Sequence, residues 1–152
     1  MRLDGKVAVI TGGACGIGAE GTKLFASEGA SVIVLDVNEE AGRALERKGS
    51  VHFIKTDISD AKSVNAAMDK ISRMYGKLDI LYNNASVFLG GRDNMVTELS
   101  IEIWNKVLSI NLSGLFYCCK FGIPLMIKSG GGSIINTSSS AGVIGIPECD
   151  AY

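Results

Sequence analysis

The sequence predicts an α/β fold, a doubly wound parallel sheet with helices on both faces, and three observations carry that prediction. Short runs rich in Val and Ile alternate with longer segments whose apolar residues recur at helical spacing. The short runs are apolar at nearly every position instead of alternating in polarity, the pattern of strands covered on both faces. Each run ends in glycine or a small polar residue, a turn signal.

In chain order, residues 6–11 form an apolar, β-branched strand that ends in glycines. Ile17, Gly21, Leu24 and Phe25 then recur as the stripe of a helix. Residues 31–36 give a second strand, and residues 38–48 a charged helix with Asn38 as its N-cap. Residues 51–56 give a third strand. Val64, Ala67, Met68, Ile71 and Tyr75 form the stripe of a helix beginning near Ser59-Asp60, and residues 78–82 give a fourth strand. After a loop through Gly90-Gly91, Trp104, Val107, Leu108, Leu112, Leu115 and Phe116 mark a long helix running at least to Gly122, where Pro124 bends or ends it. Residues 133–136 make a fifth strand, and residues 137–152 read as a loop. One domain is expected over residues 1–152, with no linker or repeat dividing it.

Composition excludes several classes. With 15 Lys+Arg against 16 Asp+Glu, the formal charge of -1 offers no basic footprint for nucleic acid. Hydrophobic residues at 47% and charged residues at 20% place the chain among globular proteins rather than disordered ones. The N-terminus lacks a signal-peptide pattern, and the uncharged stretch 129–147 is too rich in Gly, Ser and Thr to span a bilayer, so a cytoplasmic chain without a membrane segment is expected. Cys15, Cys118, Cys119 and Cys149 show no metal-binding spacing beside a single His, so free thiols and no metal are expected.

Open parallel sheets bind ligands outside the carboxyl ends of their strands. Those ends carry Thr11-Gly12-Gly13, Asp36, Asp57, Asn83-Asn84 and Ser138-Ser139. Gly12, Gly16 and Gly18 stand between the first strand and the first helix, where glycine lets phosphate approach and a helix N-terminus offers unpaired N–H groups. The other reading is a plain strand-to-helix turn. Asp36 lies 18 residues after Gly18, near the offset of a carboxylate that hydrogen-bonds ribose hydroxyls. It would repel a 2′-phosphate, and Gly13-Ala14-Cys15 and Val37-Asn38 supply no cation to hold one, which favours NAD over NADP. Asp36 could instead cap the next helix. Asn111, on the stripe of the long helix, needs buried partners and serves either a structural network or catalysis.

These residues resemble the short-chain dehydrogenase/reductase family, whose members have a Rossmann-like three-layer fold, and the resemblance covers the whole chain. Thr11, Gly12, Gly16, Ile17 and Gly18 match its TGxxxGxG cofactor loop. Asp57-Ile58 resembles its adenine-contacting position, and Asn83-Asn84-Ala85-Ser86 its NNAG motif, with Ser86 where glycine is usual. Asn111, Ser139 and Tyr152 match its catalytic asparagine, serine and tyrosine, the last two 13 positions apart. The resemblance implies hydride transfer between NAD(H) and an alcohol or ketone, Tyr152 passing the proton and Ser139 hydrogen-bonding the substrate oxygen. Phenol near neutral pH needs about 4 kcal/mol of preferential phenolate stabilisation, which the family draws from a lysine shortly after the tyrosine and from the oxidised cofactor. The sequence stops at Tyr152, before that lysine and the family's last strands. A truncated part of a longer, oligomeric enzyme, inactive by itself, is therefore expected. The alternatives are an NAD-binding module without catalysis, or a fragment that docks partners through its open edge and long helix.

Overall fold

The computed structural model describes residues 1–47 and 49–152. Its elements are β1 (Val7–Thr11), α1 (Gly16–Ser27), β2 (Ser31–Asp36), α2 (Glu39–Ala44), β3 (Val51–Lys55), α3 (Ala61–Tyr75), β4 (Ile80–Asn83), α4 (Ile101–Leu108), a π-helical segment (Ser109–Gly114), α5 (Leu115–Lys128) and β5 (Ser133–Asn136). A short 3-10 turn, Ser140–Gly142, follows β5. All strand pairs are parallel and their order is β3-β2-β1-β4-β5. The direction of winding reverses between β1 and β4, which opens a crevice at their carboxyl ends.

Alternation along the strands splits the core into two layers. Val7, Val9, Ile33 and Leu35 pack with Val64, Met68 and Ile71 of α3 and Cys118 and Met126 of α5. Ala8, Ile10, Val32 and Val34 pack on the opposite face, against Phe25 of α1 and Ala41 of α2. Burial on both faces is what the unbroken apolar runs demanded. Local caps fix the helix starts: Asn38 accepts from the Ala41 N–H, Asp60 from Lys62 and Ser100 from Ile103. Asp79, just before β4, accepts from the Val7 N–H at 2.8 Å and pairs with Lys77 and Lys6, locking the entry of β4 to that of β1.

Several expectations need correction. The charged helix stops at Ala44 instead of reaching residue 48, which lies outside the described residues. The chain leaves it because Arg47 bridges Val51 and the Glu46 carboxylate accepts from the Phe53 N–H, drawing this segment onto β3. Pro124 lies inside α5 and does not end it; the helix continues to Lys128.

The helix faces also differ from the expected stripes. In α1 the buried residues are Gly18, Ala19 and Thr22, while Ile17 and Leu24 are exposed. In the long helical run the inward face carries Ile103, Val107, Gly114, Cys118, Gly122 and Met126, and Trp104, Leu112 and Phe116 face outward. Small residues win the inner face because the backbones come close. A Cβ on Gly114 would lie 2.7 Å from Ile58, and one on Gly122 would lie 3.2 Å from Leu81. Ile101–Lys128 is long and apolar enough to cross a membrane by length and composition, a run the expectation built on residues 129–147 passed over. One of its faces lies on β4 and α3.

Candidate active site

A cleft of about 350 Å³ lies at the reversal point, within the range typical of ligand pockets. Gly12, Ile17, Asp36, Asp57, Ile58, Asn84 and Ala85 contribute to its walls.

Its floor is built by glycine. Gly12 has φ +62°, and a Cβ there would lie 2.8 Å from the Ala85 backbone, so only glycine lets the loop meet the end of β4. A Cβ on Gly18 would strike the Gly12 carbonyl oxygen. Gly16, at φ +53°, instead faces open space. Cys15 begins α1 from an extended conformation and gives no side-chain cap, so the first amides of this 12-residue helix meet no capping side chain. An open concavity at a helix N-terminus suits a phosphate.

Asp36 ends β2 beside this loop. One carboxylate oxygen accepts from the Ala14 N–H and the other from the Asn38 N–H, each at 3.0 Å. The capping reading of Asp36 is thereby replaced: Asn38 caps α2, and Asp36 ties the glycine loop to β2. Two backbone bonds leave lone pairs on this carboxylate for further donors. Asp57 is exposed, its oxygen accepting from the N–H and hydroxyl of Ser59. No Lys or Arg lines the cleft among the described residues.

Thr11 is buried, and its hydroxyl oxygen accepts from the Asn84 and Ala85 N–H groups. The Asn84 amide donates to the Thr11 and Gly12 carbonyls, closing the seam between β1 and the loop after β4. Three residues after Asn84 the same loop meets Asn111. The Asn111 amide accepts from the Val87 N–H at 2.8 Å and donates to the Val87 carbonyl at 2.9 Å. Asn111 sits in the π-helical segment, an interruption frequent at functional sites.

Ser139 leads the 3-10 turn after β5, and its oxygen accepts from the Ala141 N–H at 3.2 Å, leaving its own proton free to donate. Tyr152 is partly exposed; its ring meets Phe88 edge to face with centroids 4.9 Å apart. Its backbone N–H and that of Ala151 donate to the buried carboxylate of Asp93, each at 3.1 Å.

The family model for short chain dehydrogenase matches residues 6–152. The chain belongs to the short-chain dehydrogenase/reductase family. It is 39% identical to D-threitol dehydrogenase of Mycolicibacterium smegmatis, over 100% of this chain and 59% of that protein. It is 39% identical to 3beta-hydroxysteroid dehydrogenase of Mediterraneibacter gnavus, over 99% of this chain and 55% of the relative. With cyclohexanol dehydrogenase of an Acinetobacter species it shares 36% identity over 99% and 61%. The chain thus spans somewhat more than half the length of the curated relatives it matches. Its relatives are oxidoreductases, and the family's members bind NAD(P).

Among the short-chain dehydrogenase/reductase positions read from sequence, Gly12, Ile17, Asp36, Asp57, Ile58, Asn84 and Ala85 gather on one cleft. Gly16, Asn111, Ser139 and Tyr152 do not line it, and neither do Thr11 and Gly18, which stand behind it and fix its wall. Sequence reasoning missed Asp93. Its partners lie 58 and 59 positions away, so no local spacing announces them.

Proposed function

We propose that the protein transfers a hydride between NAD(H) and an alcohol or ketone. The observation that supports this most is the cleft itself, an open glycine floor at the start of α1 flanked by Asp36 and Asp57 with no cation among its described walls. Gly12 to Gly18 would hold the pyrophosphate, Asp36 the ribose hydroxyls, Asp57 and Ile58 the adenine side, and Asn84 and Ala85 the end nearer the chemistry. A 2′-phosphate would meet the Asp36 carboxylate without a compensating Lys or Arg, so NAD is preferred over NADP. Bound NAD supplies the carbon that accepts or gives the hydride.

The chain's own residues handle the proton. Tyr152 passes it to or from the substrate oxygen, and the free Ser139 proton hydrogen-bonds that oxygen as negative charge develops. Asn111 holds the loop at Val87 and so sets the wall between cofactor and substrate. The relatives extend well beyond the matched stretch, so turnover is assigned to the protein as encoded in full and cofactor binding to these residues. The 152 residues alone are expected to bind NAD without turnover.

An alcohol panel assayed with NAD and the fully encoded protein tests this. Turnover is expected with NAD, and Tyr152→Phe is expected to lower it strongly, to a rate still measurable, while leaving NAD affinity unchanged. Undiminished turnover in that variant would refute the role of Tyr152.

A further inference from the structure

Asp93 is a buried carboxylate, 5% exposed, in the loop between β4 and α4. Its polar partners are all backbone amides: one oxygen accepts from Asn94 at 2.9 Å and Ala151 at 3.1 Å, the other from Tyr152 at 3.1 Å. No cation pairs with it among the described residues. A buried charge held only by N–H groups is tolerated when several well-directed bonds converge on it.

The geometry restricts what this carboxylate can be doing. Two oxygens grip two consecutive amides, so the peptide joining Ala151 to Tyr152 is fixed in orientation as well as position. The same short region makes a second tie, Asp150 accepting from the Val96 N–H at 2.7 Å, and Phe88 meets the Tyr152 ring from the same loop. That loop begins at Asn84-Ala85 in the cofactor cleft wall, where Thr11 pins it, and passes Val87, where Asn111 pins it. Ala151 packs with Ile103 and Val107 of α4 in a cluster that includes Val87. The cleft wall and the phenol therefore hang on one loop, and the buried Asp93 carboxylate is the tie that holds the Tyr152 peptide itself.

We propose that Asp93 is a positioning residue for hydride transfer, holding the Tyr152 backbone in register with the cofactor cleft. This rests on the reading of Tyr152 as the proton-transferring group. Asp93 lies outside the lining of the cofactor cleft and acts through Tyr152. Asp93→Asn keeps the side-chain volume but turns one of the two acceptor oxygens into a donor, so one of the consecutive amides loses its partner. Asp93→Ser keeps a single, shorter acceptor and serves where the Asn variant folds poorly.

The test is a double-mutant cycle in the fully encoded protein, comparing Asp93→Asn, Tyr152→Phe and both together, with kcat, substrate KM and NAD affinity measured for each. Displacing a catalytic group by ~1 Å costs about a hundredfold, and a fall of that order in kcat is expected for Asp93→Asn, with NAD affinity unchanged. The double variant is expected to be no slower than Tyr152→Phe alone, because a residue that acts only through the phenol has nothing left to position. Wild-type kcat in Asp93→Asn or Asp93→Ser, or losses that add in the double variant, would overturn the proposal while leaving the role of Tyr152 standing. Undiminished turnover in Tyr152→Phe alone would instead overturn the underlying reading, and this proposal with it.

Discussion

β1 and β5 belong to one parallel sheet and lie on either side of β4, yet β1 is buried at all five positions and β5 is exposed at all four. The glycine loop and Asp36 grow from the buried side, on strands covered above and below. Ser139 follows the exposed strand. Within residues 1–152, the proposed cofactor loop and the proposed proton-transferring residue therefore rest on different supports. The glycine loop and Asp36 draw on the core of the sheet, whereas Tyr152 is held by loops and a few long-range hydrogen bonds such as those of Asp93.

The largest expected contrast comes from the same substitution on the two sides. Gly18→Val places a Cβ against the Gly12 carbonyl and the Asn84 amide, neither of which can yield without opening the β1 seam. It is expected to cost about 3 kcal/mol of stability, the upper end for overpacking, and to abolish NAD binding. Gly145→Val, in the loop after β5, meets nothing within 4 Å and is expected to stay within about 0.5 kcal/mol of wild type. Chemical denaturation of both variants checks this, and equal losses would erase the distinction between the two sides.

Asp36→Ala should have a narrower effect. It removes the acceptor for the Ala14 N–H and the charge that opposes a 2′-phosphate. The NAD-over-NADP affinity ratio is expected to fall about tenfold, equivalent to ~1.4 kcal/mol. An unchanged ratio in paired titrations would remove Asp36 from the ribose site.

A pH-dependent effect follows from the β1–β4 junction. Burial pushes the Asp79 carboxyl upward, but the Val7 N–H, Lys77 and Lys6 outweigh it and hold the group below its ordinary value. A carboxyl depressed in the folded state stabilises above its unfolded pKa, and that contribution is lost as pH falls through the folded value. Asp79→Asn is therefore expected to cost about 1 kcal/mol at neutral pH, with the gap to wild type closing below about pH 4, the ordinary carboxylate range. Denaturation midpoints measured across pH would show it, and a gap independent of pH would contradict it.

The smallest effect separates two thiols. Cys15 is exposed at the cleft, whereas burial, assisted by Cys119, pushes the Cys118 thiol up to about 12. At pH 8 an alkylating reagent should label Cys15 and spare Cys118, with peptide mass mapping as the readout. Rapid labelling of Cys118 in the folded protein would mean that the α5 face is not packed as described.

The strands were legible because burial on both faces leaves an unmistakable run of apolar residues; all five fall within two residues of the expected bounds. The glycine loop was legible for a related reason, since tight turns and close approach admit little else. The buried faces of α1 and the long helix were not. Searching for large apolar residues finds Ile17, Leu24, Trp104, Leu112 and Phe116, all exposed, because the close-packed faces carry Gly18, Gly114, Cys118 and Gly122. Asp93 was hidden for another reason: its hydrogen-bond partners Ala151 and Tyr152 are brought near only by the fold.

In the proposed function, residues 1–152 form an NAD cradle whose choice of cofactor is set by Asp36. Calorimetric titration of this chain with NAD and then NADP tests it most directly. One site is expected, binding NAD at least about tenfold more tightly than NADP. Equal or tighter binding of NADP, or binding of neither, would contradict it.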